Sequence, residues 1–250
     1  MPRPLATLAL AGVLMAAALP SPCRAAGEAN LGWNDCVSGG GLSDLVNDCT
    51  INTGFLSLIV SFRPPVQLDS MVGMYGKIVL ITDQILPPWW HMETSPTAGC
   101  RDHAMNSSFD FTIGPYGCVD AWQGQGSQGF VFEPGIPFGP ASARIRIVGA
   151  VPAVEQFPVS PQTEYAGANI HISRLKSTGT GSCPGCNAQV CLYISYLELD
   201  EPAPAPPVII SDSGGHEFVT LNYMNPSAPP CPGAVPTRRP TWGAVKALYR

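Results

Sequence analysis

The chain has 250 residues, of which 45% are apolar, so it is long enough to bury a sizeable core. Its formal net charge is −5 at pH 7 and no basic block stands out, which argues against nucleic acid as a partner. The 26 glycines and 27 prolines, combined with this apolar content, indicate a packed fold with many turns rather than disorder or long helices.

Residues 1–25 have the layout of a secretory signal peptide. Arg3 precedes an apolar run over 5–19, and small residues follow it up to a predicted cleavage site near Ala25. The run is shorter than the ~20 residues that a bilayer span needs, so a membrane anchor is the weaker interpretation. Pro-Ser-Pro precedes Cys23, which makes lipid attachment at that cysteine a poor match. The prediction is therefore an exported chain, secreted or at the cell surface, with no membrane span after signal cleavage.

Beyond the signal peptide, apolar side chains recur at every second position, a pattern typical of strands with one buried face. In the first such run, for example, Leu56, Leu58 and Phe62 share one face. Nine short runs show the pattern: 55–62, 76–83, 108–113, 129–134, 143–148, 169–174, 190–199, 207–212 and 217–223. Since glycine- and proline-rich turns separate these runs, and only the last ten residues suggest a helix, we predict an all-β, antiparallel β-sandwich of the jelly-roll type.

Shifts in composition divide the predicted mature chain. The β-sandwich domain is predicted over 26–231, and the proline-rich stretch 201–207 is a stiff excursion inside it, because further apolar runs follow. Residues 232–240 are again rich in proline and are a predicted linker. Residues 241–250 then form a C-terminal tail.

Eight cysteines remain once the signal peptide has been removed, and an even number in an exported chain predicts disulfides. They are Cys36, Cys49, Cys100, Cys118, Cys183, Cys186, Cys191 and Cys231. Closeness in sequence favours pairing the first with the second and the third with the fourth. One of the next three is then expected to reach Cys231, and the other two to pair locally. The predicted sandwich is thus braced by disulfides.

Four motifs have the residue types of reactive sites, but each lacks its usual context. The CPGC stretch 183–186 has the spacing of a thiol oxidoreductase, yet it leads into a strand rather than a helix. The last four cysteines could instead hold a tetrahedral zinc ion. SDSGGH at 211–216 is similar to a serine-protease sequence without that family's histidine segment. Acids and histidines between 91 and 103 could ligate a metal, without any known metal-binding spacing. We expect no catalytic residue, metal or cofactor.

The adjacent residues Trp89 and Trp90 have two interpretations. Each buried ring removes ~150–250 Å² from water, worth up to ~4–6 kcal/mol, so a place in the core or in a lid over it is favoured. Neighbours on a strand point to opposite faces, so one ring is expected to be buried and the other partly exposed. The alternative is a platform for sugar rings, which Trp122 could join.

The tail, TWGAVKALYR, places its apolar residues at helical spacing, but ten residues are too few for a stable isolated helix. An aromatic and basic end behind a proline-rich spacer is laid out as a recognition or sorting tag. Its candidate contact residues are Trp242, Gly243, Lys246 and Arg250. The alternatives are a frayed end and a short helix that docks on the domain.

Four stretches carry a resemblance to a known family: LGWNDC (31–36), LPPWW…CR (86–101), STGTGSCPGC (177–186) and TRRPTWGAVKALYR (237–250). They resemble pieces of a family of exported bacterial proteins of unknown function, over most of the mature chain. The tail resembles the C-terminal ending shared by otherwise different secreted proteins of certain uncultured bacteria. This resemblance implies a sorting role for the tail and a structural role for the cysteines, and it brings no activity with it.

Together these patterns predict an exported structural or interaction protein without catalysis. Its expected partners are a glycan or a cell-surface protein and, through the tail, the export or sorting machinery. A carbohydrate-binding module that uses surface tryptophans is the first alternative. A jelly-roll hydrolase is the second, and it requires two carboxylates that face each other in a cleft.

Overall fold

The computed structural model describes residues 27–94, 98–210, 216–223 and 231. These residues form fourteen strands and three short 3-10 turns, the latter at Val37–Gly39, Pro88–Trp90 and Ala153–Glu155. The strands are β1 (Glu28–Trp33), β2 (Asp44–Leu45), β3 (Phe55–Arg63), β4 (Leu68–Met71), β5 (Gly73–Thr82), β6 (Met105–Ser108), β7 (Val119–Asp120), β8 (Ser127–Pro134), β9 (Ser142–Ala150), β10 (Phe157–Val159), β11 (Tyr165–Ser173), β12 (Val190–Asp200), β13 (Val208–Ile210) and β14 (Phe218–Leu221). Within the described ranges, no helix has the length and hydropathy that a bilayer crossing requires.

The smaller sheet is centred on β3 and β11 and runs in the order β1-β3-β11-β6. These pairs are antiparallel, and the two-residue strand β7 pairs with β11 in parallel. As predicted, Leu56, Leu58 and Phe62 are buried at alternate positions of β3. The positions between them include Ser57 and Ser61, whose hydroxyl groups hydrogen-bond on the opposite face of the sheet.

The larger sheet runs in the order β2-β14-β12-β5-β9-β8, and β13 also pairs with β12. All of its pairs are antiparallel except the short pair of β14 and β2. The antiparallel prediction therefore holds except at β7 and β2. The proline-rich stretch 201–207 is the loop between β12 and β13, and β4 and β10 form a separate antiparallel pair.

Buried residues from both sheets form one hydrophobic cluster, which confirms the all-β, sandwich-like fold. The two layers touch closely at β11 and β5: a Cβ added to Gly167 would lie 2.9 Å from Met74 Sδ. On β5, Ile78 and Leu80 pair with inward-facing residues of β12 and belong to this cluster. The alternate positions of β5 and β12 therefore form the outer face of the larger sheet.

The predicted strand at 108–113 is wrong, although its side chains alternate as expected. Only Ser108 belongs to a strand, as the last residue of β6. Asp110 turns the chain, because its Oδ1 accepts a hydrogen bond at 2.9 Å from the backbone N–H two residues later. Phe109 and Phe111 are nevertheless both buried in the core. Alternating burial is thus achieved here without a ladder of hydrogen bonds.

Four disulfides join the eight cysteines of the sandwich: Cys36–Cys118, Cys49–Cys186, Cys100–Cys183 and Cys191–Cys231. The expected link to Cys231 is confirmed, and Cys191 makes it. The other three pairings predicted from proximity are wrong, because folding brings together cysteines 82, 137 and 83 residues apart. Cys183 and Cys186 reach different partners instead of each other. Four such links indicate an oxidising environment.

Candidate functional site

All three tryptophans of the alternative ligand platform lie in the core, and for Trp89 and Trp90 this confirms the favoured interpretation. Trp89 and Trp90 are 0% exposed and Trp122 is 1% exposed, so none of them presents a ring to a sugar. The expectation that one ring of the adjacent pair would be partly exposed is wrong. Both lie in the 3-10 turn Pro88–Trp90 rather than on a strand, so they need not point to opposite faces. Their rings pack edge to face, with centroids 5.0 Å apart.

Arg101 holds the tryptophan pair from within the core. Its side chain is buried, and its guanidinium carbon lies 3.5 Å from the centroid of the Trp89 ring, a cation–π contact. Nε donates to Leu175 O and Nη1 donates to Trp89 O, both at 2.9 Å. Burial lowers the pKa of Arg101 to about 9, so the group remains cationic at neutral pH. The arrangement is a structural clamp, since these partners are backbone carbonyl groups.

The LPPWW…CR and STGTGSCPGC stretches meet in space. The Cys100–Cys183 disulfide joins them, and Trp89 N donates to Pro184 O at 3.0 Å. Gly185 has a φ of 97°, a conformation that favours glycine. A Cβ at that position would also lie 2.3 Å from a side-chain carbon of the first proline in LPPWW. The two stretches therefore form one packed unit.

The motifs considered for metal or redox chemistry do not assemble a site among the described residues. Both cysteines of the CPGC stretch form disulfides, Cys183 with Cys100 and Cys186 with Cys49. Neither is therefore a free thiolate, which zinc binding or redox chemistry would need. His91 Nδ1 lies 2.9 Å from Glu93 Oε1, and His103 Nε2 lies 3.6 Å from Asp102 Oδ2, as separate pairs. Across the described ranges, no three His, Cys, Asp or Glu side chains come together as metal ligands. The DSGG sequence at 212–215 falls outside those ranges.

Glu164 is a buried carboxylate that no sequence pattern had indicated. Ser61 Oγ donates to its Oε1, Ser38 N donates to its Oε2 at 2.8 Å, and Arg63 Nη2 lies 4.0 Å away. Burial acts to raise the pKa of Glu164, but the hydrogen bonds from Ser38 and Ser61 and the charge of Arg63 outweigh it, so this pKa lies below its ordinary value. The ionised carboxylate thereby ties the turn Val37–Gly39 to β3.

The outer face of the larger sheet carries a cluster of aromatic and charged side chains. Tyr75 and Lys77 of β5 are partly exposed and lie beside Tyr196 and Glu198 of β12. The two tyrosine rings have centroids 6.0 Å apart, and Lys77 Nζ lies 5.2 Å from the Tyr75 centroid and 4.7 Å from the Tyr196 centroid. Tyr196 Oη donates to Glu198, and this hydrogen bond raises the pKa of Tyr196 to about 12. We call these four residues the tyrosine cluster.

Two arginines of β9 extend this surface toward the sheet edge. Arg144 Nε and Arg146 Nη2 donate to the carboxylate of Glu133 at 2.7 and 2.8 Å. The hydrogen bond from Arg144 holds the pKa of Glu133 below its usual value, in spite of partial burial. The exposed side chains of Val131 and Val148 lie on the same face. The mixture of aromatic, apolar and arginine side chains is typical of interaction surfaces.

A shallow depression of about 350 Å³ lies at one end of this outer face. Tyr75, Val148 and Ala150 line it, together with Asp200, which is the only carboxylate among the described residues of its wall. The side chain of Asp200 leans over Gly73, where a Cβ would lie 3.2 Å from Asp200 Oδ2. Burial, and to a smaller extent Glu198, raise the pKa of Asp200. The depression thus combines an aromatic ring, apolar walls and one carboxylate.

The sequence contains a signal for this face that does not involve tryptophan. In part of β5 and in the second half of β12, aromatic and charged residues alternate with core residues. Tyr75 and Lys77 show this spacing in one strand, and Tyr196 and Glu198 show it in the other. The alternation could have indicated two polar faces, but only the pairing of the strands places them side by side.

The predicted sorting residues Trp242, Gly243, Lys246 and Arg250 lie outside the described residues, as do the predicted signal peptide and the linker 232–240. A scan against models of protein families, a search of curated proteins and a search of solved structures each found no match for this chain. Function therefore has to be inferred from the described residues.

Proposed function

We propose that this chain is an exported structural or interaction protein and that the outer face of the larger sheet is its binding surface. The tyrosine cluster carries the proposal, because two partly exposed rings and a basic side chain lie together on one open face. Tyrosine and arginine are enriched among the residues that dominate the binding energy at protein interfaces, and Arg144 and Arg146 lie on the same face. The four disulfides support export, because such links persist mainly outside the cytosol.

Truncation of the tyrosine cluster tests this proposal. We expect the combined Tyr75→Ala and Tyr196→Ala substitutions to weaken retention of the mature protein on intact cells of the native host by at least ~10-fold, because hot-spot aromatic residues contribute ~2 kcal/mol or more. Phe55→Ala truncates an exposed aromatic side chain on β3 of the smaller sheet, so it is the matched control and should leave retention unchanged. Equal retention of the wild-type protein and the double variant would contradict a role for this face.

Carbohydrate binding is a second candidate, now resting on the partly exposed tyrosines in place of the buried tryptophans. The CH groups of a sugar ring pack well against an aromatic face, and neighbouring Lys77 and Glu198 can hydrogen-bond to hydroxyl groups. A glycan array with the mature protein tests this candidate. Binding that is lost in Tyr75→Ala supports it, and no binding to any glycan removes it. The hydrolase alternative requires a second carboxylate facing Asp200, and the part of the chain that the structure describes places none beside it in the depression.

The tail is proposed to be a sorting tag, on the strength of its resemblance and its aromatic and basic composition. Fusing residues 232–250 to a neutral exported reporter should change where the reporter ends up in the native host. A matched fusion with Trp242→Ala and Lys246→Ala should behave like the reporter alone. If the intact tail leaves the destination unchanged, the tail is not a sorting tag.

A further inference from the structure

The Cys191–Cys231 disulfide fixes the start of the C-terminal segment to the outer face of the larger sheet. Cys191 alternates with Leu192, which belongs to the core cluster. Cys191 and Cys231 are buried, as are Val79 and Ile81, but these four residues do not belong to that cluster. They form a separate buried patch on the outer side of the sheet. Residues 232–250, which lie outside the described ranges, therefore continue from this face.

The length of the C-terminal segment is sufficient to reach the depression. Cys191 and Asp200 stand nine positions apart on β12, a distance of ~30 Å at ~3.3 Å per residue. Trp242 follows Cys231 by eleven residues, and an extended chain of that length spans up to ~36 Å. A segment tethered in this way has an effective concentration on the order of millimolar near the depression.

The segment and the domain carry opposite charges. Residues 232–250 contain four basic residues and no acidic residue, a charge of +4. Residues 26–231 contain seven basic and 18 acidic residues, a charge of −11. Attraction between the two is therefore favourable, and it weakens as salt shortens the screening length.

The depression offers a matching chemical environment. The carboxylate of Asp200 makes no hydrogen bond or ion pair with the described residues, and Tyr75 and apolar side chains surround it. An aromatic ring and apolar walls beside a carboxylate suit a basic side chain with an aliphatic stem, or an indole ring next to a cation. The segment supplies both kinds of group, in Trp242 and its basic neighbours.

We propose that residues 232–250 dock on the outer face of the larger sheet of the same molecule, with aromatic and basic side chains in the depression beside Tyr75 and Asp200. The docked segment and an external partner would then compete for one face. Docking also covers the proposed tag until a receptor displaces it. Docking goes beyond the proposed function. It is supported by the Cys191–Cys231 disulfide, by the opposite net charges of the segment and the domain, and by the depression beside Asp200.

Acrylamide quenching of tryptophan fluorescence in the mature full chain tests the proposal. The other four tryptophans, Trp33, Trp89, Trp90 and Trp122, are buried, so quenching that Trp242→Phe removes comes from Trp242. We expect the Trp242 signal to be quenched about threefold less than that of a free TWGAVKALYR peptide, because a docked ring is shielded from solvent. Asp200→Asn with Tyr75→Ala should restore peptide-like quenching. Phe55→Ala, the matched control on the smaller sheet, should not.

Two further measurements accompany the quenching experiment. Urea unfolding of each variant should give the wild-type midpoint, which shows that the variant is folded. Addition of ~1 M NaCl should raise quenching of Trp242 in the wild-type protein, because it shortens the screening length to ~3 Å and so weakens the attraction between the segment and the domain. Peptide-like quenching in the wild-type protein at low salt overturns the proposal. Protection that disappears on dilution, with a dimer in sedimentation, overturns docking in the same molecule in favour of a second copy. The reporter fusion tests sorting separately, since it contains no domain.

Discussion

Two charged side chains, Arg101 and Glu164, lie inside the sandwich with different sets of partners. Arg101 donates hydrogen bonds to two backbone carbonyl oxygens and packs over the Trp89 ring. Its positive charge is therefore stabilised by two carbonyl dipoles and by an aromatic face. Glu164 receives hydrogen bonds from Ser61 and from a backbone N–H group. A buried charge is tolerated only when such partners replace water. Arg101 therefore fixes the loops that contain Trp89 and Leu175, and Glu164 fixes the turn Val37–Gly39 against β3.

Replacing Glu164 should show how much its carboxylate contributes to the free energy of unfolding. We expect Glu164→Gln to lower the free energy of unfolding by about 2 kcal/mol at neutral pH, because charge-assisted hydrogen bonds are lost. The folded pKa of Glu164 lies below its ordinary value of about 4.3, so the ionised carboxylate stabilises the fold above that pH. The difference from the wild-type protein should therefore shrink as the pH falls through the folded pKa.

Urea unfolding from neutral pH down to about pH 3 measures this effect. Glu155→Gln, in the exposed 3-10 turn Ala153–Glu155, is the control and should give a difference near zero throughout. A Glu164→Gln difference that stays constant as the pH falls would mean that the loss is steric and that the charge plays no part.

At the scale of the elements, side-chain alternation and strand formation are related but separate. The run 108–113 alternates apolar and polar residues, yet Asp110 gives the backbone a local hydrogen bond in place of a strand partner. Conversely, β1 (Glu28–Trp33) is a strand without a clear alternation in its sequence, because Asn30 and Gly32 weaken its β signal. Trp89 and Trp90 follow a proline pair into a 3-10 turn, which sends both rings inward.

The close contact between β9 and the buried aromatic side chains predicts a sensitive glycine. A Cβ at Gly149 would lie 2.2 Å from Phe109 Cε1 and 2.9 Å from Trp122 Cη2. We expect Gly149→Ala to lower the free energy of unfolding by about 2 kcal/mol, because overpacking displaces large side chains. Gly129→Ala, on the neighbouring strand β8, should change it by less than ~0.5 kcal/mol, since the nearest heavy atom there is 3.7 Å away.

Urea unfolding of the two glycine variants, with near-ultraviolet circular dichroism for the tryptophan environment, checks this prediction. Gly149→Ala should change the aromatic signal and Gly129→Ala should not. Similar stability of the two variants would show that the packing of Phe109 and Trp122 adapts to the extra methyl group.

At the scale of the whole molecule, the disulfides join segments that are remote in the chain. The partners are separated by 40 to 137 residues, and three of the four links connect different loops around the sandwich ends. A crosslink that closes a loop of about 80 residues removes roughly 4–5 kcal/mol of chain entropy from the unfolded state. Correct pairing therefore follows the fold and then strongly stabilises it.

Non-reducing peptide mapping of the mature protein should recover the four links and no peptide in which Cys183 is joined to Cys186. Those two cysteines are three residues apart, but their bonding partners are Cys100 and Cys49. Mapping after refolding from the reduced, unfolded state under oxidising conditions is the matched comparison and should give the same links. A Cys36–Cys49 or Cys183–Cys186 peptide in the native protein would contradict this connectivity.

Alternation along single segments was enough to predict the all-β class, most of the strands and their core-facing residues, because burial of one strand face is a local property. The even number of cysteines likewise indicated disulfides. The partners of each strand and cysteine were decided only when the sheets assembled, because those contacts join distant segments. The size of the tryptophan rings was enough to favour burial of Trp89 and Trp90. The inward turn of both rings, the burial of Trp122 and the meeting of Tyr75 with Tyr196 were decided by the tertiary structure, because the exposure of a ring depends on which distant segments pack against it.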